Sequence, residues 1–199
     1  MASPTRWETD TDPGHSQWYV ERFRRMAADG ADLVGEARLV DAMVPRHARI
    51  LDAGCGPGRH AAYLHAVGHD VVGVDADPEL IAAAVADHPG PRWHVADLSE
   101  LDLPALGETD PFDAILVAGN VMVFLAPDTE AAVLRRLHDH LTQDGFVVTG
   151  FHTDRALAVV DFDAAVDAAG LRIEHRFATW DLRPWRDDAD FVVTVLRRA

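Results

Sequence analysis

The sequence predicts a doubly wound α/β fold, with a seven-stranded sheet that is parallel except for one strand supplied by a C-terminal hairpin. Three observations carry this. Short apolar runs alternate with segments of helical period between about residues 49 and 170. A glycine turn at Gly54, Gly56 and Gly58 joins the first apolar run directly to a helix. After Gly170 come two strand-like stretches with only a loop between them, too short for a crossover helix, so they should pair antiparallel.

Residues 1–14 are polar, hold Pro4, Pro13 and Gly14, and read as a loose arm. A helix follows from Gln17 to Ala28 and breaks at Gly30. A second places Leu33, Ala37, Val40 and Val44 at helical spacing and stops at Pro45. Arg49–Ala53 is the first strand, Arg59–Val67 a helix closed by Gly68, and Asp70–Asp75 the second strand. Val71, Val72 and Val74 make that strand apolar on both faces. Pro78 opens the helix Glu79–Asp87, with Asp77 as its cap. Arg92–Ala96 and Phe112–Ala118 are strands three and four. Pro127–Leu141 is a helix, Phe146–Phe151 strand five, and Phe162–Ala169 a helix capped by Gly170. Leu171–Trp180 and Phe191–Arg197 form the terminal hairpin.

The 199 residues, 48% apolar and 26% charged, suit one domain over 1–199. Within it, 1–44 is a helical lid or arm and 45–199 the ligand-binding core. No apolar run approaches the ~18 residues of a membrane span, and the acidic start (Glu8, Asp10, Asp12) is unlike a secretory signal. A single cysteine, Cys55, makes a reducing cytoplasm the expected compartment. The net charge of −15 opposes binding to phosphate backbones, so nucleic acid is not an expected partner. All 18 basic residues are arginine, because the sequence contains no lysine. That removes pyridoxal Schiff-base, P-loop and kinase-type chemistry.

The segment Leu51-Asp52-Ala53-Gly54-Cys55-Gly56-Pro57-Gly58-Arg59 follows a strand and opens a helix. Glycine allows positive φ and leaves no Cβ between backbone and ligand. Asp75 ends the next strand about 20 residues on, where a carboxylate can accept from two ribose hydroxyls.

These residues resemble the class I S-adenosylmethionine-dependent methyltransferases. The loop is similar to that family's Asp-x-Gly-x-Gly-x-Gly motif, Val72–Asp77 to its second motif, His94–Leu98 to its third acidic block and Phe112–Leu116 to its fourth strand. Leu141–Phe146 stands where the family usually has Leu-x-Pro-Gly-Gly, and differs at Gln143-Asp144. The dehydrogenase pattern Gly-x-Gly-x-x-Gly is not met, so a nicotinamide oxidoreductase is the weaker reading. A non-catalytic S-adenosylmethionine- or S-adenosylhomocysteine-binding protein is the other alternative.

The resemblance implies a Rossmann-like core and S-adenosylmethionine as cofactor. Asp52, Ala53, Gly54, Cys55, Gly56 and Gly58 would shape the site for its methionine part. Asp75 would hold the ribose, with Ala76 beside the adenine. Asp97 would accept from the adenine amino group, with Leu98 alongside. Ala118, Gly119 and Asn120 would lie near the methionine amino group and the transferred methyl. No Asn-Pro-Pro-Tyr or Asp-Pro-Pro-Tyr block follows strand four, which argues against methylation of adenine or glutamine amino groups and leaves a small-molecule acceptor.

Methyl transfer from a sulfonium is an in-line displacement that needs alignment and a dry site, and an added base only for a protonated acceptor. No catalytic residue is therefore assigned. Trp18 and Tyr19, with Phe23, are candidates for a lid on the acceptor side, the alternative being ordinary helix packing. The hairpin's Trp180, Pro184 and Trp185 raise the same choice. His152, after strand five, is a candidate base or a surface histidine. His60 reads as structural. His65 and His69 have ligand spacing without a third ligand and read as a solvated helix face, so no metal site is expected. Glu36 and Arg38 either bind polar groups or pair with each other. The oligomeric state is left open.

Overall fold

The computed structural model describes residues 3–199. Three helices lead in: α1 (Arg6–Thr9), α2 (His15–Ala28) and α3 (Gly35–Met43). Next come β1 (Arg49–Ala53), α4 (Arg59–Ala66), β2 (Asp70–Asp75), α5 (Pro78–Asp87), β3 (Arg92–Val95) and β4 (Phe112–Val117). They are followed by α6 (Val121–Phe124), α7 (Glu130–Asp139), β5 (Leu141–His152), α8 (Val159–Ala168), β6 (Leu171–Phe177) and β7 (Phe191–Arg198). The strands form one seven-stranded sheet in the order β3-β2-β1-β4-β5-β7-β6. β1 to β5 run parallel. β7 is antiparallel to both its neighbours, β5 and β6. This is the doubly wound sheet that the sequence predicts. The antiparallel strand lies one in from the edge because the hairpin folds back and leaves β6 outermost.

The inner strands are apolar on both faces because helices cover both. Leu51, Val72, Ile115 and Val147 pack with Leu134 and Leu137 of α7 and Phe162 and Val166 of α8. Their chain neighbours Ile50, Val71, Leu116 and Val148 pack with Ala37 and Val40 of α3 and Ala61 and Leu64 of α4. A small third cluster joins Val20 of α2 to Leu80 and Ala83 of α5, with Trp7 and Tyr19 against it. At the amino ends of the strands, buried Glu108 accepts from Arg49, Arg92 and possesses a third neighbour in His94 at 3.1 Å. Burial pushes its carboxyl up, but these partners outweigh that and hold its pKa at about 2.

Several local expectations are corrected. The arm is not loose where the structure describes it (residues 1–2 lie outside the described residues). Thr5 and Glu8 form a capping box that starts α1. The helix expected over Pro127–Leu141 is the shorter α7, because Leu141 pairs with Phe112 and extends β5 backwards. The one-turn helix α6 was not expected; four residues are too few to show a period. His69 is buried with Nε2 3.0 Å from Asp41, so it does not sit on a solvated face. Glu36 and Arg38 do not pair. Arg38 bonds Asp32 at 2.8 Å, and Glu36 turns to His60 and Arg59.

Candidate functional site

A cleft of about 250 Å³ opens at the carboxyl ends of β1, β2 and β4. The strand order reverses between β1 and β4, and ligands bind in such crevices in open α/β sheets. Its floor is the glycine loop. Gly54, Gly56 and Gly58 all have positive φ (76°, 54° and 87°), a coil that side-chain-bearing residues rarely adopt. The three differ in what they face. A Cβ on Gly54 would fall 2.3 Å from Val121, and one on Gly58 2.5 Å from the Trp93 ring. A Cβ on Gly56 would meet only Tyr19, at 3.7 Å. Gly56 is therefore the loop position whose bare backbone faces the open cleft; the other two make room for side chains of this chain.

Asp52 is buried behind the loop. Its Oδ2 accepts from the Ala61 N–H at 3.1 Å. Gly58 caps α4 without a side chain, so Asp52 supplies the acceptor that the first turn lacks. Burial raises its pKa, against the pull of nearby His60 and Arg59. Cys55 is buried on the cleft wall, and burial, with Asp52 and Asp75 nearby, raises its thiol well above the usual range. It stays a protonated, unreactive thiol.

Asp75 ends β2 and lines the cleft. Its Oδ2 accepts from Gly56 N–H at 2.8 Å and its Oδ1 from Asp77 N–H at 2.9 Å. Burial lifts its pKa to about 6; the two N–H bonds oppose this, and Asp77 and Asp52 add to it. Each carboxylate oxygen has two acceptor positions, so the group can still take two hydroxyl donors. Asp77 caps α5 through Glu79 N–H at 2.8 Å. Asp97 starts the 3-10 turn Leu98–Glu100 by accepting from Ser99 N–H at 2.7 Å, and both Asp97 and Leu98 line the cleft.

The structure brings Gly54, Cys55, Gly56, Asp75, Ala76, Asp97, Leu98, Ala118, Gly119 and Tyr19 into one cleft. Asp52, Ala53 and Gly58 stand behind its wall. Asn120, His152 and Trp18 do not line it. Asn120 has φ 68° and starts α6, and its Oδ1 accepts from His152 N–H at 2.8 Å. His152 Nδ1 is 3.2 Å from the Asp190 carbonyl. Trp18 is 47% exposed on the outer side of α2, beside His15 and Arg22. Phe23 packs on Tyr19 and beneath the Arg59 guanidinium.

Sequence reasoning missed Thr5, Trp7, Glu8, Arg59, His60, Phe124 and Leu125, all of which line the cleft. The Thr5-x-x-Glu8 capping signature was a legible sign that Trp7 sits on a helix. His60 has Nε2 3.4 Å from Glu36. Burial pushes Glu36 up, but His60 and Arg59 hold its pKa at about 2. Among the described residues no group of three or more His, Cys, Asp or Glu is placed to hold a metal ion.

The residues present fit an adenosine-bearing sulfonium cofactor. Asp75 can accept from a diol, Ala76 and Leu98 offer apolar surface next to it, and Gly56 leaves the backbone bare for the chain that follows.

The chain is similar to known methyltransferases. The sequence model of the methyltransferase domain family matches residues 50–145. The solved structure of a TehB-like SAM-dependent methyltransferase from Corynebacterium glutamicum is 45% identical, with a TM-score of 0.88 over 94% of this chain and 100% of that one. The magnesium-protoporphyrin O-methyltransferase of Rhodobacter capsulatus is 33% identical over 118 residues, 55% of this chain and 49% of that protein. A probable S-adenosyl-L-methionine-dependent methyltransferase TehB of Haemophilus influenzae is 25% identical over 138 residues, 68% of this chain and 46% of that protein. The chain spans about half the length of these two curated relatives.

Proposed function

We propose that this chain, which belongs to the class I S-adenosylmethionine-dependent methyltransferases, transfers the cofactor's methyl group to a small-molecule acceptor. The observation that carries the proposal is the juxtaposition of Asp75 and the bare Gly56 backbone in one cleft at the reversal of strand order. When bound, the cofactor supplies an electrophilic methyl group on a positively charged sulfur. The chain's own residues orient and shield it. Asp75 takes the ribose hydroxyls, with Ala76 beside the adenine. Asp97 and the Leu98 backbone meet the adenine edge. Gly54, Gly56, Ala118 and Gly119 border the methionine end. Trp7 and Tyr19 roof the cleft and exclude water. Their faces also suit a sulfonium.

The acceptor is small on two grounds. Three of the relatives and neighbours matched are, by name, methyltransferases of a porphyrin or a sugar, which are small molecules. The net charge of −15 repels nucleic acid. No helix among the described residues is long and apolar enough to cross a membrane.

The test is a screen of small thiols, amines, hydroxyls, carboxylates and inorganic oxyanions for formation of S-adenosylhomocysteine. Turnover with at least one of them, lost in Asp75→Ala, is the expected result. Binding of the cofactor without turnover on any class would instead favour a non-catalytic binding protein.

A further inference from the structure

The glycine loop rests on a side chain from the edge of the sheet. Trp93 stands in β3, and its direct partner in β2 is Gly73. A Cβ on Gly73 would overlap the indole ring, and one on Gly58 would fall 2.5 Å from the ring's Cη2. The loop's Cys55 Sγ would stand 3.1 Å from the same Cβ on Gly73. Trp93 Nε1 donates to the His88 carbonyl, just past α5, at 3.2 Å, which fixes how the ring lies. One indole thus abuts two glycines, one in the sheet and one in the loop. Neither glycine has a side chain of its own to fill the space, so the ring sets how deep the loop sits at Gly58.

Strand β3 does not depend on this ring for its own place. It is a strand of four residues at the edge of the sheet. Side chains alternate along it, so Arg92 and His94 leave by the face opposite to Trp93. There buried Glu108 accepts from Arg92 at 2.8 Å, lies 3.1 Å from His94 and accepts from Arg49 of β1 at 2.6 Å. Arg92 also pairs with Asp70 of β2 at 2.8 Å. Beyond the other end of β3, Ala96 N–H donates to the Asp75 carbonyl at 3.0 Å, directly ahead of the Asp97–Leu98 turn. The strand and the turn that follows it are therefore held by the backbone ladder and an ion cluster, and the Trp93 ring is left to support the loop.

We propose that Trp93 is a positioning residue for the amino-acid end of the cofactor, acting through the glycine loop that it underlies, while the nucleoside end is held independently of it. This rests on the cofactor reading given above. Removing the ring leaves a cavity beneath Gly58, and surrounding structure relaxes into such a cavity in part. A loop with three glycines at positive φ is the wall most able to give way. Asp75 and Asp97 stand on turns that the ring does not underlie, so the nucleoside contacts should survive.

The test measures the affinity of the full chain, and of its variants Trp93→Leu and Trp93→Phe, for two ligands by calorimetry. One is S-adenosylhomocysteine; the other is methylthioadenosine, a nucleoside thioether without the amino-acid part. Deuterium exchange of the loop amides 54–58 is followed in the free proteins. Trp93→Leu should weaken S-adenosylhomocysteine by on the order of tenfold, the equivalent of one hydrogen bond to a charged group. Methylthioadenosine should bind as before, and the loop amides should exchange faster while those of β3 do not. Trp93→Phe keeps a ring, leaves a smaller gap, and should show the same split at smaller size even where Trp93→Leu fails to fold. Val195→Ala, a cavity in buried β7, should lower the melting temperature and change neither affinity. Equal losses for both ligands in the Trp93 variants, no loss for either, or the same split in Val195→Ala overturns the positioning role alone. Failure of the unmodified chain to bind either ligand overturns the cofactor reading and the positioning role with it.

Discussion

The Asp75 carboxyl is the residue on which the proposed cofactor site turns, and on that reading its ionisation should be visible in binding. Burial raises its pKa from 3.8 to about 6, so the folded chain keeps a proton that the unfolded chain releases. Its contribution to stability is therefore fully present below about pH 4 and is lost as pH rises through about 6. Ligand binding runs the other way, because ribose hydroxyls are best accepted by the ionised form. The ligand's own α-amino and α-carboxyl groups titrate near about 8 and below about 4. Affinity for S-adenosylhomocysteine should fall between pH 7 and pH 5, approaching one decade per unit below pH 6. Asp75→Asn should weaken binding at pH 7.5 by ~1.5–3 kcal/mol and flatten the pH profile. Calorimetric titration across this range measures both; a flat profile in the unmodified chain would remove Asp75 from the ribose. Much of the site was legible at this scale because its motifs are local: the glycine loop, Asp75 and Asp97 each sit at a strand's end in the sequence itself. Trp7 was not, because its place over the cleft depends on a partner, Asp77, 70 positions away.

At the scale of elements, the strands were readable because burial on both faces leaves continuous apolar runs, as in Val71–Val74. The ends of α7 and β5 were not, because Leu141 is apolar in either role and only its pairing with Phe112 decides. Gly73 shows another effect hidden from periodicity. A Cβ there would lie 2.3 Å from the Trp93 ring, so β2 carries a glycine to seat a tryptophan from β3. Gly73→Ala should destabilise the fold by ~1–3 kcal/mol through overpacking. Smaller Trp93→Leu, combined with it, should recover part of that loss. Urea midpoints of the two variants against the unmodified chain decide the matter, and an unshifted midpoint for Gly73→Ala would mean that the ring moves aside freely.

At the scale of the molecule, among the described residues the two large apolar clusters contain nothing from before Val34. The core and the roof of the cleft are thus separable. Deleting residues 1–28 should leave a cooperatively melting protein, read by circular dichroism, whose affinity for S-adenosylhomocysteine falls at least tenfold because Trp7 and Tyr19 are gone. Loss of cooperative melting would show that the third cluster, around Val20, supports the whole fold.

The most direct measurement of the central claim is calorimetric titration of the full chain, at pH 7.5, with S-adenosylhomocysteine and separately with NAD. The account predicts one site per chain for the first ligand and no heat of binding for the second. It also predicts that Asp75→Asn weakens the first. Binding of NAD, or no binding of S-adenosylhomocysteine, would contradict it.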